Sequence, residues 1–226
     1  MKKIVIKISG SLFYWERVEA DLPLVAQVIK GVYHPQNYRI FLVAGGGETA
    51  RRYISVGRAL GGNEGLLDDM GLRSARLNAE LVIASLGDIA YPVVPEGLDD
   101  VIKASETNKV VVVGGLHPGH STNAVAALIG ERVNADLFIN TTDVEGVYTS
   151  DPNKDKNAKL LERVTIADLR RMFGDSRMLA GTYELMDLVA INVIERSRLK
   201  TVIVKCTPQI LHDAILGNRV GTEVVI

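Results

Sequence analysis

Three apolar segments in this chain each run straight into a glycine-rich turn. KIVIKI leads into Ser9-Gly10-Ser11, IFLVA into Gly45-Gly46-Gly47, and VVVV into Gly114-Gly115, with His117-Pro118-Gly119-His120-Ser121-Thr122 behind. Glycine lets the backbone approach a ligand closely, and a helix N-terminus behind the turn adds positive partial charge. Three such turns offer more N–H donors than one phosphate takes up. They point to a pocket for two phosphorylated ligands, or for one that carries several phosphates.

The rest of the chain alternates in a way that suits such turns. Strands are expected over residues 3–8, 39–44, 89–94, 109–113, 136–140 and 201–205. Most are short and rich in Val and Ile, as strands buried on both faces are. Helices are expected over 20–32, 49–60, 66–86, 122–132, 166–173, 183–197 and 208–216. In the longest, Leu67, Met70, Leu77, Leu81 and Ala84 fall near helical spacing and mark the expected core face. Alternating strand and helix implies right-handed crossovers and a mainly parallel sheet covered on both faces, an α/β fold. Ligands of such sheets sit at the carboxyl ends of the strands, where all three glycine turns fall. The polar stretch at 149–159 reads as a surface loop or hairpin between a longer N-terminal half and a smaller C-terminal one. That division gives two lobes on one continuous sheet.

Composition excludes several classes. The 226 residues are 47% hydrophobic, enough for a sizeable core, and 26 basic residues against 27 acidic leave a net charge of −1. That balance builds no field for duplex DNA or an anionic membrane. The single cysteine, Cys206, rules out an internal disulfide and a cysteine zinc cluster. It ends an apolar strand and reads as a buried structural thiol. The apolar run behind Met1 breaks at Lys7, too early for a secretory signal. No apolar stretch reaches the roughly 18 residues of a membrane span. A soluble, cytoplasmic protein is expected.

The turns differ in chemistry. Gly45-Gly46-Gly47-Glu48-Thr49-Ala50-Arg51 is neither the G-x-G-x-x-G dinucleotide fingerprint nor a P-loop. Three consecutive glycines are entropically costly, which argues against a plain connecting turn. The guanidinium of Arg51 in the first helical turn is placed to fork onto phosphate oxygens. Lys7 is unusual in so apolar a strand; alternation puts it on the face of Val5, opposite Ile6 and Ile8. An ammonium just before the Ser-Gly-Ser turn suits a transferring phosphoryl group, whose catalysis is mostly positioning and charge stabilisation. Ser121 and Thr122 are candidate helix caps, and His117 and His120 fit hydrogen bonding to a substrate better than metal binding. Tyr148 and Asp151, in the turn that follows the apolar segment at 137–140, are candidates for base stacking and sugar or metal contact. Trp15 reads as a packing residue.

Together these segments resemble the amino acid kinase superfamily, and most closely its archaeal-type uridylate (UMP) kinases. The resemblance covers essentially the whole chain. It rests on K-I-S-G-S at the N-terminus, G-G-G-x-x-A-R-x-Y-I at 45–54, G-G-x-H-P-G-H-S-T at 114–122 and T-D-V-E-G-V-Y-T-S-D-P at 142–152, with a tail segment at 180–187. It implies a three-layer αβα sandwich around a mainly parallel sheet, usually assembled as a hexamer. Residues 1–226 would form one domain, with lobes 1–140 on the acceptor (UMP) side and 141–226 on the ATP side. The implied reaction is transfer of the γ-phosphoryl group of ATP to UMP with Mg²⁺ carried by ATP.

The same resemblance distributes the residues. Lys7, Ile8, Ser9, Gly10 and Ser11 would hold the ATP phosphates, with Lys7 stabilising the transition state. Gly47 and Arg51 would also meet the ATP phosphates, and Thr142, Asp143, Tyr148 and Asp151 would form the adenosine pocket. Gly46, Asp68, Leu116, His117, Pro118, Gly119, His120, Ser121 and Thr122 would line UMP. Two departures stand out. Asn123 replaces an aspartate that many relatives carry, and no second catalytic lysine matches by motif, Lys205 being only a spatial guess. Isopentenyl phosphate, carbamate or an amino acid as acceptor, and a non-catalytic nucleotide-binding module, remain the alternatives.

Overall fold

In the computed structural model, which describes residues 1–173 and 185–226, the Val- and Ile-rich segments build five neighbouring strands of one seven-stranded sheet. Its strands are β1 (Lys2–Ile8), β2 (Tyr38–Ala44), β3 (Val111–Val113), β4 (Leu137–Thr142), β5 (Arg163–Thr165), β6 (Thr201–Lys205) and β7 (Thr222–Val225). Their order across the sheet is β3-β2-β1-β4-β6-β7-β5, and every pairing is parallel except β6 with β7. The central strand β1 pairs with β2 through Lys7↔Val43 and with β4 through Lys7↔Asn140. The first two glycine turns therefore leave adjacent strands at the same edge, and the third leaves the strand beside them.

The helices form two layers. α1 (Trp15–Val32), α3 (Glu64–Leu86) and α8 (Pro208–Leu216) cover the face that carries Ile4, Ile6 and Ile8. α4 (Leu98–Ser105), α5 (Thr122–Val133), α6 (Ile166–Phe173) and α7 (Leu188–Ser197) cover the face that carries Val5, Phe41 and Phe138. α2 (Gly47–Ala59) lies outside the sheet layers and packs through Ala50 and Ile54 on Leu67 and Met70 of α3. The three-layer αβα sandwich expected from the sequence is what the chain adopts.

Several details differ from expectation, each for a visible reason. Residues 89–94 form no strand; only Ala90 bridges Val110. Pro92 lacks the N–H that a ladder needs, and Val93 points into solvent. The short strands β5 and β7 and the helix α4 were not expected; two to three turns' worth of residues carry too little periodicity to stand out. α1 begins at Trp15, well before residue 20, and Trp15 is 66% exposed, so it is not the packing residue expected. The beginning of the helix expected at 183–197 lies outside the described residues, as does most of the tail segment at 180–187; α7 itself starts at Leu188.

The longest helix is turned differently. α3 buries Leu67, Ala75, Ala79, Val82 and Leu86 together with Ser74 and Asn78, while Leu77 and Leu81 are exposed. Over 74–79 the buried face is made of small and polar side chains because backbone lies against it there, with Leu67, Val82 and Leu86 keeping apolar bulk on either side. A Cβ on Gly114 would stand 2.6 Å from the Arg76 nitrogen, and one on Gly115 2.8 Å from Leu72 Cγ. These two glycines allow the chain leaving β3 to approach a helix closely. Gly114→Ala is expected to destabilise the protein by about 1–3 kcal/mol, the usual cost of overpacking. Urea unfolding followed by circular dichroism checks it; an unchanged midpoint would contradict the contact.

Candidate active site

Alternation along β1 puts Lys7 with Val5, against the layer of α5 and α7, and it is only 4% exposed. Its Nζ donates to the Thr141 carbonyl at 3.1 Å. Burial pushes its pKa down to about 8, opposed by Cys206, Asp143 and Asp187. The Cys206 thiol is itself pushed up by burial, so at neutral pH the charges standing near Lys7 are the two carboxylates. Cys206 is buried, as the sequence implied.

Thr141 locks the end of β1 to β4. Its hydroxyl donates to the Lys7 carbonyl at 2.8 Å and accepts from the Ser9 amide at 2.9 Å. Ser9 Oγ then accepts from the Ser11 amide at 3.3 Å, and the chain enters a single 3-10 turn, Gly10–Phe13. Ile8 sends its side chain into the core, so only its backbone faces the turn.

The second glycine turn lies directly on the first. The Gly45 amide donates to the Ile8 carbonyl at 3.1 Å. A Cβ on Gly45 would stand 2.7 Å from the Gly10 nitrogen, and Gly47 takes φ +68° with Phe13 Cβ 2.8 Å from where its own Cβ would be. Both positions require glycine for contact or conformation. On the other side, α3 holds the turn: Asn78 Nδ2 donates to the Gly45 carbonyl at 2.7 Å and Ser74 Oγ to the Gly46 carbonyl at 2.9 Å. Arg51, exposed on α2, donates to the Tyr14 hydroxyl and lies over that ring, its guanidinium carbon 5.5 Å from the centroid.

The third turn is organised by the same helix. Arg76 Nε donates to the Gly115 carbonyl at 3.0 Å and pairs with Glu96 at 2.8 Å. Leu116 is buried, whereas His117, Pro118, Gly119 and His120 are exposed, the two imidazoles edge to face with centroids 6.3 Å apart. Asp68 Oδ2 accepts from the Gly119 amide at 2.8 Å, so that carboxylate joins this loop. Ser121 caps α5 by accepting from the Ala124 amide at 3.1 Å, and Thr122 opens the helix. The Ser121 hydroxyl donates to Asp187, which caps α7 through the Ala190 amide at 3.0 Å. The N-termini of α5 and α7 are thereby tied together beside Lys7.

Asn123 and Asn140 both donate to the Leu185 carbonyl, at 3.4 and 2.8 Å. The buried carboxylate at this junction is Asp187, 4% exposed, rather than anything at position 123. Lys205 ends β6, two strands from β1 and two residues beyond the row of Lys7, Asn140 and Ile203. It is not brought beside Lys7.

A cavity of about 420 Å³ opens next to this edge, lined by Asp143, Val144, Tyr148, Thr149, Ser150, Asp151, Pro152, Asn153, Met172, Phe173 and Leu185. Three of the residues expected around an adenosine reach it; Thr142 lies buried beside it, its hydroxyl donating to Asp143 at 3.0 Å. The Asn153 amide, above all, holds the Asp151 carboxyl below its usual range, with Lys154 adding to the effect. The stretch at 149–159 is the surface loop or hairpin expected, an exposed run of turns closed by the bridge of Tyr148 to Leu160. Sequence reasoning missed Ser74, Asn78, Thr141, Asp187 and the Met172-Phe173 wall. Ser74 and Asn78 had a signal: two small polar residues four apart, in helical register with the apolar Leu67, Val82 and Leu86.

A family description of amino acid kinases matches residues 2–205. The chain belongs to the amino acid kinase family. Among its relatives is a uridylate kinase of Sulfolobus acidocaldarius, 42% identical over 226 residues, with 99% of each chain covered. Another, from Sulfurisphaera tokodaii, is 44% identical over 223 residues, with 97% of each covered. The crystal structure of uridylate kinase from Archaeoglobus fulgidus superposes with a TM-score of 0.86 at 37% identity over all of both chains. A UMP kinase structure from Ureaplasma parvum, with TM-score 0.80 at 21% identity over 100% of this chain and 99% of that one, shares the fold. The resemblance drawn from the sequence motifs is therefore that of an amino acid kinase family member whose relatives are archaeal uridylate kinases. Among the described residues, no helix is long and apolar enough to cross a membrane.

Lys7 carries a consequence for stability. Its folded pKa is lowered, so between about 8 and the ordinary 10.5 the unfolded chain binds more protons than the folded one. Below pH 8 the buried ammonium costs stability in full, and the cost fades as pH rises through that window. Lys7→Met is expected to be more stable than wild type at pH 7, with the gap closing towards pH 10.5. Denaturant unfolding across pH checks it; equal stability at pH 7 would contradict the burial of a charge.

Proposed function

We propose that this amino acid kinase family member is a UMP kinase, transferring the γ-phosphoryl group of ATP to UMP to give UDP and ADP. The observation that carries the reading is a buried lysine at the point where two glycine turns touch backbone to backbone. Phosphoryl transfer needs cations and N–H donors fixed around spread negative charge, with little covalent chemistry from the protein. The uridylate kinase relatives along the whole chain support the choice of acceptor.

In this reading Lys7 stabilises the transferring group, while Ser9, Gly10 and Ser11, with the backbone of Ile8, hold the donor phosphates. Gly47 and Arg51 face the ATP phosphates and Gly46 faces UMP. Leu116 through Thr122, with Asp68 bracing Gly119, line the acceptor. Thr142, Asp143, Tyr148 and Asp151 serve adenosine, with Met172 and Phe173 as an apolar wall for the base. Residues 1–140 then form the acceptor side and 141–226 the ATP side of one domain, working in the cytoplasm. Mg²⁺ arrives with ATP, and Asp143, whose charge acts on Lys7, is the carboxylate that would meet it. The ion supplies charge neutralisation between the phosphates.

A coupled assay with ATP and each nucleoside monophosphate is expected to favour UMP. Equal or better activity with CMP, AMP or a non-nucleotide acceptor would overturn the acceptor assignment. Lys7→Ala is expected to lower turnover by about two orders of magnitude or more while UMP binding survives, the scale of losing a transition-state stabiliser. An unchanged rate would refute the role of Lys7.

The chain is also proposed to work as a homo-oligomer, a hexamer. Tyr53 and Val56 on α2, Leu60 at its C-cap, and Leu66, Leu77 and Leu81 on α3 are exposed, more large apolar side chains than two surface helices of a monomer usually show. Sedimentation velocity at micromolar concentration is expected to show the assembly; a monomer would sink this proposal.

A further inference from the structure

We propose that Asn78, assisted by Ser74, is a positioning residue that aims the Gly46 and Gly47 amides into the phosphate site from the back of the turn. The proposal rests on the reading of that turn as a phosphate site. A trans peptide is planar, with its C=O and N–H pointing in opposite directions. The carbonyl of Gly45 shares its plane with the amide of Gly46, and the carbonyl of Gly46 shares its plane with the amide of Gly47. Asn78 Nδ2 holds the first carbonyl at 2.7 Å and Ser74 Oγ holds the second at 2.9 Å. Both carbonyls are drawn to α3, so both N–H groups face away from it.

Glycine makes this anchoring necessary. A run of three glycines has many accessible peptide orientations, and nothing in its side chains selects one. The Gly46 carbonyl has a second partner, the Ala50 amide at 3.3 Å, which belongs to the first turn of α2. The Gly45 carbonyl precedes the helix, so its orientation depends on Asn78. Asn78 and Ser74 are 7% and 5% exposed and stand one helical turn apart on the face of α3 turned to the site. An amide is the apt side chain: it donates at one end and adds no charge beside the phosphates.

The test uses the full chain labelled with ¹⁵N-glycine, with inorganic pyrophosphate and UMP as probes. In the wild type the Gly46 and Gly47 amide resonances are expected to shift with pyrophosphate. In Asn78→Ala their response is expected to be largely lost, with kcat/KM down roughly tenfold or more, since misaiming such donors approaches the loss of one. Ser74→Ala is expected to move the same way by less, and Ser74→Thr, which keeps the hydroxyl, to recover most of that loss. A purely structural role would lower the unfolding midpoint and leave the amide response intact. Asn78→Ala with wild-type kcat/KM, or with both amides still answering pyrophosphate, overturns the proposal. If Asn78→Ala does not fold, the Ser74 pair decides, and a loss that Thr fails to recover overturns it. Wild-type amides silent to pyrophosphate overturn the phosphate reading of the turn as well, whereas silence to UMP alone overturns only the acceptor.

Discussion

The site depends on one close contact: the backbone of Gly45 and Gly47 lies on the backbone of Gly10. A single Cβ on Gly45 would stand 2.7 Å from the Gly10 nitrogen, closer than side-chain carbons come to any backbone atom. Parallel pairing of β1 with β2 brings the two turns level, since Ile8 and Ala44 are register partners. Pairing of β1 with β4 then brings Thr141 under the same edge, where it bonds both sides of Lys7. Remove the side chains from these turns, and two rows of amides share one small volume. Phosphoryl transfer between two phosphates asks for that proximity.

The lysine at this junction is stable only because its surroundings were built for it. A buried ammonium without partners would lose its proton well below neutrality, since desolvation favours the uncharged form. Here the pKa falls only to about 8, held up by Cys206 and by the carboxylates of Asp143 and Asp187. Asp187 has other work as well, capping α7 and accepting from Ser121 at the cap of α5. One carboxylate therefore fixes two helix N-termini and adds to the charge that holds up the Lys7 pKa. The asparagine at position 123 leaves no gap in this arrangement, because the negative charge enters from α7.

Much of this was legible in the residues. The glycine turns, the alternation of Lys7, the buried Cys206 and a mainly parallel sheet covered on both faces all follow from local pattern, because strands buried on both faces and turns without side chains leave strong marks. What was not legible shares a cause. Ser74, Asn78 and Asp187 act on partners 28, 33 and 66 residues away in the chain. No spacing rule reaches so far. The same cause misled the reading of α3, where helical spacing favoured Leu77 and Leu81 for the core. The helix instead turns Ser74, Ala75, Asn78 and Ala79 inward between Leu67 and Val82, because glycine backbone packs against that stretch.

That inversion gives α3 two unlike faces with linked reasons. Its inner face is small and polar over 74–79, since Ala75 and Arg76 meet Gly114 by backbone while Ser74 and Asn78 hold the carbonyls of Gly46 and Gly45. Leu67, Val82 and Leu86 supply the apolar burial on either side of that stretch. Leu77 and Leu81 stand on the outer face, 58% and 47% exposed. In the proposed assembly that face would meet another copy, and one helix would then serve both the glycine turns and the contact between copies.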